Sequence, residues 1–477
     1  MLLRTTGREP EAVRLPAARA PSWPEDTPAG PAGRNMVLWL VDTLISAGEM
    51  RKARRLLNRA MPDRSGNADA LAFDGRLSLD EGDPEEAARI GYALHRLGAR
   101  QAADAMVHHI GRKWPVLINP PHPWQRATIL VCDPVRHGPD ALANVLRGVH
   151  CSLNYPSEFA LAMQNEFRFV SVLVDLPENA YPARLPEADV ILNNTVNAER
   201  LNEPGRLELV RSRIDRTGLP VINHPDQAVQ TTRVNNARVL AGIPNLKVPR
   251  IEHYDAERTP IAEIVTNIGG RFSYPLIVRI PSAQMSSGSL LSEENKFALL
   301  VPDAASLTAH LERSRWPEFY AIEYADLRRE DGFYRKMRAV MVDREVFLIQ
   351  VAMYSDWMVS GWRHRPEGIS FYRENPHTIE ECNRIVLDPE AQLGSTVMRT
   401  LEAVRDRIPL DIFGIDFDVD REGRVVFFEA GEMMSFSFYH ERQPEDVRLP
   451  EEPLLATRKA FSDLVTRRIA ERKDRPA

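Results

Sequence analysis

Phe413-Gly-Ile-Asp-Phe-Asp-Val419 and Arg424-Val-Val-Phe-Phe-Glu429 are two apolar runs carrying acids, separated by the turn sequence Asp420-Arg-Glu-Gly423. β-branched and aromatic runs around a polar stretch that ends in glycine read as a β-hairpin. Asp416 and Asp418 are two residues apart, so both lie on one face of the first strand. Glu429 lies on the second strand, and a tight hairpin brings it near that face. Clustered carboxylates repel one another unless a hard cation neutralises them, and Mg²⁺ takes oxygen ligands. Asp416, Asp418 and Glu429 are therefore the candidate metal ligands. The competing reading is a strand whose acids face solvent. The apolar neighbours Phe413, Ile415, Phe417 and Val425–Phe428 argue instead for a place near a core or cleft.

Basic residues upstream suit an anionic partner. Arg279 sits inside the apolar run Tyr274-Pro-Leu-Ile-Val-Arg-Ile280, and an arginine in a buried strand needs an anion beside it. The following loop, Ser282-Ala-Gln-Met-Ser-Ser-Gly-Ser289, is built of small residues, and its backbone N–H groups suit a phosphate. Lys336 and Arg338 alternate on a strand, Lys336–Val342, which forms a hairpin with Glu345–Gln350 around Asp343-Arg344. Arg233 opens a helical stretch expected over 232–241. Together these cations would surround a triphosphate, with Mg²⁺ bridging it to the acids. Taken singly, each is more simply a surface residue or a structural ion pair. Trp357 and Trp362 either line a substrate pocket or pack beneath the central sheet.

Before this α+β half, the pattern is different. Ala127–Cys132, Phe169–Val174 and Asp189–Leu192 are short apolar runs separated by helical patterns near 157–165 and 206–217. That alternation predicts a parallel α/β sheet over 127–222, closed by Val221-Ile-Asn-His-Pro225. Trp114-Pro-Val-Leu-Ile-Asn-Pro-Pro-His-Pro123 reads as a linker, since its four prolines cannot continue a helix or a central strand. Residues 34–114 read as wholly helical. Gly48 and Gly82 are 34 residues apart, as are Ala53 and Ala87, the period of tetratricopeptide repeats. The region reads as two such repeats and a final helix, Gln101–Lys113, docked on the rest of the chain. Such a unit takes a peptide or protein partner, or serves only as a packing cap. Residues 1–33 hold six prolines and read as a disordered arm, and 471–477 as a tail.

The whole chain sets further bounds. Its 477 residues suffice for two or three domains of roughly 100–200 residues. The net charge of −6 disfavours a nucleic-acid-binding protein. Cys132, Cys151 and Cys382 are far apart, match no zinc or haem spacing, and fit a reducing compartment. No run approaches the ~20 apolar residues of a membrane helix. The run Met36–Val41 is too short and too deep for a signal peptide, so a cytoplasmic, non-membrane protein is expected. His224, His253, His364 and His440 are isolated, and no serine-hydrolase or zinc-protease motif occurs.

The order of these features resembles the ATP-grasp superfamily of carboxylate–amine ligases, over roughly Val221–Arg468, and within it the branch of ribosomal-protein glutamate ligases and glutathione synthetase. Asn223-His-Pro225 is similar to the family's Asn-x-Pro segment. Thr231–Gly242 with Ile243-Pro244 and Val248-Pro249 is similar to its helix and proline-bearing strand. Leu276-Ile-Val-Arg279 resembles the strand that carries a phosphate-contacting lysine, and Ala321-Ile-Glu-Tyr324 the hinge where backbone meets adenine. Gly414-Ile-Asp416 and Phe428-Glu429 resemble the magnesium signature.

The resemblance implies an ATP-grasp fold over 223–470 in two lobes, with a hinge near 321–326 and 127–222 as the preceding α/β domain. It implies ATP and Mg²⁺ as cofactors. Arg233, Arg279, Ser286, Ser287, Gly288, Glu323, Tyr324, Glu330 and Lys336 would bind nucleotide. Glu330, seven residues after Glu323, would meet the ribose. Arg279 and Arg338 would act on the transferring phosphoryl group. The activity implied is ATP-dependent ligation of a carboxylate to an amine, or a related nucleophile, through an acyl phosphate. Its substrates would be small molecules or peptides, one of them recruited by the helical repeats. Three features depart from the family: arginine replaces lysine at 279, Glu429-Ala-Gly431 replaces Glu-x-Asn, and the loop is poor in glycine. These departures frame the alternative, an ATP-binding adaptor or scaffold without turnover.

Overall fold

The computed structural model describes residues 31–118, 121–134, 145, 158–176, 185–195, 197–281, 298–359, 366–431 and 443–473. The first part is helical, with helices Pro31–Ser46, Met50–Ala60, Ala68–Glu81, Pro84–Arg96 and Arg100–Lys113. Gly82 ends the third helix at φ +86°, a conformation that a Cβ would strain. Asp83 then caps the fourth by accepting the Glu86 N–H, with Pro84 in the first turn. Ala53 and Ala87 are fully buried, as close helix packing requires. The unit rests on the next domain through its fifth helix, where a Cβ on Gly111 would come within 2.8 Å of Leu173. Of the arm expected over 1–33, residues 1–30 lie outside the described residues, and the first helix begins at Pro31.

Strands β1 (Val116–Ile118), β2 (Thr128–Asp133), β3 (Arg168–Leu173), β4 (Val190–Asn193) and β5 (Val221–Ile222) form one sheet in the order β1-β3-β2-β4-β5. β2, β3, β4 and β5 pair in parallel, as the apolar runs predict. β1 differs from expectation: part of the proline-rich linker pairs antiparallel with β3. It is an edge strand, where the missing proline donor is harmless, and the Pro115 carbonyl accepts the Leu173 N–H at 2.9 Å.

The remaining strands are β6 (Leu246–Lys247), β7 (Ile251–Asp255), β8 (Leu276–Arg279), β9 (Ala298–Val301), β10 (Glu318–Glu323), β11 (Tyr334–Val342), β12 (Glu345–Tyr354), β13 (Ile412–Val419) and β14 (Val425–Gly431). β7-β10-β8-β9 is an antiparallel sheet. Helices Ile261–Arg271 and Ala304–Ser314 cover one face, where Ile264, Ile268, Leu307 and Leu311 meet Leu276, Val278, Phe319 and Ala321. Strand alternation then turns Ile277, Arg279, Tyr320 and Ile322 to the opposite face.

The third sheet runs β12-β11-β13-β14-β6 and is antiparallel except at β6. On one face Met337, Ala339, Met341, Ile415 and Phe417 share a core with Cys382, Val397 and Leu401. On the other face Val340, Val342 and Ile412 pack with Phe461 and Leu464 of helix Glu452–Lys473. Towards one end of that second face the apolar residues give way to Lys336, Arg338 and Asp416. The class is thus α/β followed by α+β, as expected. Asn223 ties the halves together. Fully buried at φ +59°, its side chain accepts the Asp411 and Ile412 N–H groups, both at 2.9 Å, and donates to the Ile412 carbonyl at 2.7 Å. Among the described residues, no helix is long and apolar enough to cross a membrane.

Candidate active site

A cavity of about 190 Å³ lies between the second and third sheets. Its charged end is built by strand register. In β11 and β13, Arg338 stands opposite Asp416. In β13 and β14, Asp416 stands opposite Glu429, but Phe417 stands opposite Phe427, so Phe428 is the extra residue of a β-bulge. Alternation counted back from the turn would put Phe428 opposite Asp416 and turn Glu429 to the other face. The bulge reverses that and delivers Glu429 to the cavity.

Four cations converge on these two acids. Arg338 grips Asp416 with both arms, Nε to Oδ1 at 2.7 Å and Nη2 to Oδ2 at 2.8 Å, and Lys336 Nζ lies 3.4 Å from Oδ2. Arg233 bonds Glu429 through Nη2 and the Phe428 carbonyl through Nη1 at 3.0 Å. Arg279 Nη2 is 3.6 Å from the same Glu429 oxygen. Burial alone would raise both carboxyls. The charges of Arg338 and Lys336 hold Asp416 below the usual range, and those of Arg279, Arg233 and Lys336 hold Glu429 below it. Burial lowers Arg279 to about 10, with Glu429 opposing and Arg233 reinforcing, so it remains charged at neutral pH. Two anions among four cations leave an excess of positive charge, which suits a polyphosphate. Asp416 and Glu429 are ionised oxygen donors at one register position, a donor set that fits a hard cation.

Asp418 is placed differently. It is fully buried and opposes Val426 nearer the turn; its Oδ1 accepts the Val419 N–H at 2.7 Å and meets Arg329 Nη2 at 3.4 Å. It does not line the cavity. Among the described residues, no three His, Cys, Asp or Glu side chains gather closely enough to hold a metal.

The other end is apolar and aromatic, with Ile277, Ile322, Tyr324, Tyr334 and Trp357 in the wall. Trp357 stands edge-on to Tyr324 at 6.4 Å, and the Tyr324 and Tyr334 hydroxyls are 3.2 Å apart. Glu323 ends β10, lines the cavity and accepts the Arg250 N–H at 3.0 Å. Glu330 is exposed and outside the wall. Ser286, Ser287, Gly288 and Trp362 lie outside the described residues.

Several residues of the cavity wall and its surroundings escaped the sequence reading, Tyr334 and Arg335 among them. Lys247 enters the wall from β6, a strand too short to show periodicity. Tyr320 stands opposite Arg279, and alternation marks its face once the β8–β10 register is known. Glu199 bonds Tyr320 from 121 residues away, and nothing local signals it.

No family model and no curated protein matches the chain. Among solved structures it is similar to D-alanine–D-alanine ligase from Bacillus anthracis, at 11% identity over 73% of this chain and 99% of that one, TM-score 0.42. It is also similar to a RimK domain ATP-grasp protein from Sphaerobacter thermophilus, at 15% identity over 71% and 100%, TM-score 0.37. A third is the ATP-grasp ligase PsnB in complex with a phosphomimetic variant of its minimal precursor, Mg and ADP, at 12% identity over 72% and 98%, TM-score 0.37.

Proposed function

We propose that the chain is an ATP-dependent carboxylate–amine ligase of the ATP-grasp type. The observation that carries this reading is the polarity of the cavity: an apolar, aromatic end bounded by Glu323 and Tyr324, and a cationic end where Arg233, Arg279 and Lys336 line the wall with Asp416 and Glu429, and Arg338, outside the wall, grips Asp416. A flat apolar base joined to a polyanionic tail matches both ends at once. In this reading Arg233, Arg279 and Lys336 hold phosphates and Tyr324 borders the base. Asp416 and Glu429 would hold Mg²⁺, which supplies charge neutralisation on the phosphates. Arg338 stabilises charge on the transferring group.

The reaction would proceed in two transfers. A substrate carboxylate oxygen attacks the γ-phosphorus and ADP leaves. An amine then attacks the acyl carbon, inorganic phosphate leaves with the former carboxylate oxygen, and the amine gives up a proton. The helical unit would recruit a peptide or protein carrying one substrate. The test is isotopic: with Mg·ATP, ¹⁸O-labelled carboxylates and a panel of amines, label should appear in the released phosphate. ADP release without label transfer would overturn the acyl-phosphate route. A second reading, a nucleotide-regulated adaptor, is favoured by the lack of a third carboxylate beside Asp416 and Glu429 among the described residues. Tight Mg·ATP binding without ADP release for any amine would select it.

A further inference from the structure

We propose that Glu199 is a positioning residue for the cationic end of the cavity, acting through Arg233 and Tyr320; this rests on the nucleotide reading above. Glu199 lies in helix Ala198–Leu201, which follows β4 of the parallel sheet. It is half-buried, and its Oε1 accepts two hydrogen bonds, from the Arg233 N–H at 3.2 Å and from the Tyr320 hydroxyl at 2.6 Å. One oxygen thus bridges three separate pieces of chain.

Each bond meets a specific need. Arg233 begins helix Arg233–Leu240, and N–H groups in a first turn have no partner within the helix. Thr232 satisfies the Asn235 N–H at 3.2 Å, leaving the Arg233 N–H for Glu199. A carboxylate also suits the positive end of a helix. The far side of the same turn is pinned by Asn236, whose Nδ2 donates to the Thr231 carbonyl at 3.0 Å and the Ala430 carbonyl of β14 at 2.8 Å. With its backbone held on both sides, Arg233 extends its guanidinium to Glu429 and the Phe428 carbonyl. Tyr320 is buried on β10 directly opposite Arg279. Glu199 therefore fixes the backbone of one cavity arginine and the strand neighbour of another, from a domain that contributes neither.

Because both bonds end on a single oxygen, geometry and charge can be separated. Glutamine keeps an acceptor oxygen, whereas alanine removes it. The probes are ATP, ADP and adenosine, with affinities measured on the full chain well below each variant's melting temperature. Glu199→Ala should weaken ATP and ADP binding about tenfold and leave adenosine unchanged, since only the phosphate end is disordered. Glu199→Gln should recover affinity to within about threefold of wild type, and Tyr320→Phe should lose about threefold. A folded Glu199→Ala protein with unchanged ATP affinity, or with equal losses for ATP and adenosine, overturns the proposal. If Glu199→Ala does not fold, Tyr320→Phe decides: an unchanged ATP-to-adenosine ratio overturns it. Wild-type protein that binds neither ATP nor adenosine sinks the nucleotide reading and the proposal with it. Wild-type binding with an unaffected alanine variant sinks the proposal alone.

Discussion

Asp416 and Glu429 face each other across β13 and β14 because Phe428 is bulged out of the ladder between Glu429 and the turn. The two acids are ion-paired to arginines, Asp416 to Arg338 and Glu429 to Arg233. A polyphosphate would compete for those arginines and release carboxylate oxygens for a cation.

Nucleotide binding is the first consequence to check. A ligand that binds only the folded chain raises its stability by about 2.7 kcal/mol at a hundredfold excess over Kd. Mg·ATP at millimolar concentration should raise Tm by about 5 °C, measured by calorimetry. An unmoved melting curve would remove the ATP reading.

Removing the Asp416 charge should affect both stability and binding. Asp416→Asn removes a buried charge and leaves the half-buried Arg338 without its bidentate partner, a loss of about 3 kcal/mol. Arg338→Met combined with Asp416→Asn should recover part of that stability and none of the Mg²⁺-dependent ATP affinity. Denaturant melts and calorimetric titration on the two variants check this. Full Mg·ATP affinity in Asp416→Asn would show that the acid is a structural partner only.

Asp418 sets a pH dependence of stability. Burial pushes its carboxyl up to about 7, with Arg329 only partly offsetting it. An unfolded aspartate titrates near ~3.9. Between those values the folded chain holds a proton that the unfolded chain has released, so this contribution to stability falls as pH rises. Asp418→Asn does not titrate, and its advantage over wild type should grow by up to about 4 kcal/mol from pH 4 to pH 8. Glu429 has the opposite sign. Its lowered carboxyl contributes stability above the unfolded glutamate value of ~4.3, and that contribution is lost on acidification. Parallel melts of wild type, Asp418→Asn and Glu429→Gln across pH read both effects, and a flat difference for Asp418→Asn would refute the burial argument.

Asn223 is a sensitive position outside the cavity. Asn223→Ala strands two N–H groups and a carbonyl at Asp411 and Ile412 and places a Cβ-only side chain at positive φ. The expected loss is about 4 kcal/mol in a denaturant melt. A loss under about 1 kcal/mol would mean that water replaces the amide.

Much of this protein was legible from short-range pattern. The apolar runs at 127–132, 169–174 and 189–192 lie within one residue of β2, β3 and β4, because a buried parallel strand must be apolar along its whole length. Both acidic and basic hairpins appeared where β-branched and aromatic residues surround a polar turn. Helices Ile261–Arg271, Ala304–Ser314, Pro366–Glu374, Pro376–Leu387, Pro389–Leu393 and Ser395–Arg407, strands β6, β7 and β9, and the pairing of β1 were not anticipated. The β1 segment lies among prolines, and its pairing depends on a partner more than fifty residues away.

The sequence by itself determined the strands of the parallel sheet and of the two hairpins, the helical character of the N-terminal part and which charges the chain carries, since period, turn chemistry and composition act over a few residues. Tertiary structure decided which of those charges meet. The bulge at Phe428 turns Glu429 to the face of Asp416, while Asp418, two residues along the same strand, is sealed beneath Arg329. Glu199 reaches Arg233 and Tyr320 only once the parallel sheet and the β7–β10 sheet are packed together. Register and packing arise from contacts between residues far apart in the chain, and no local period records them.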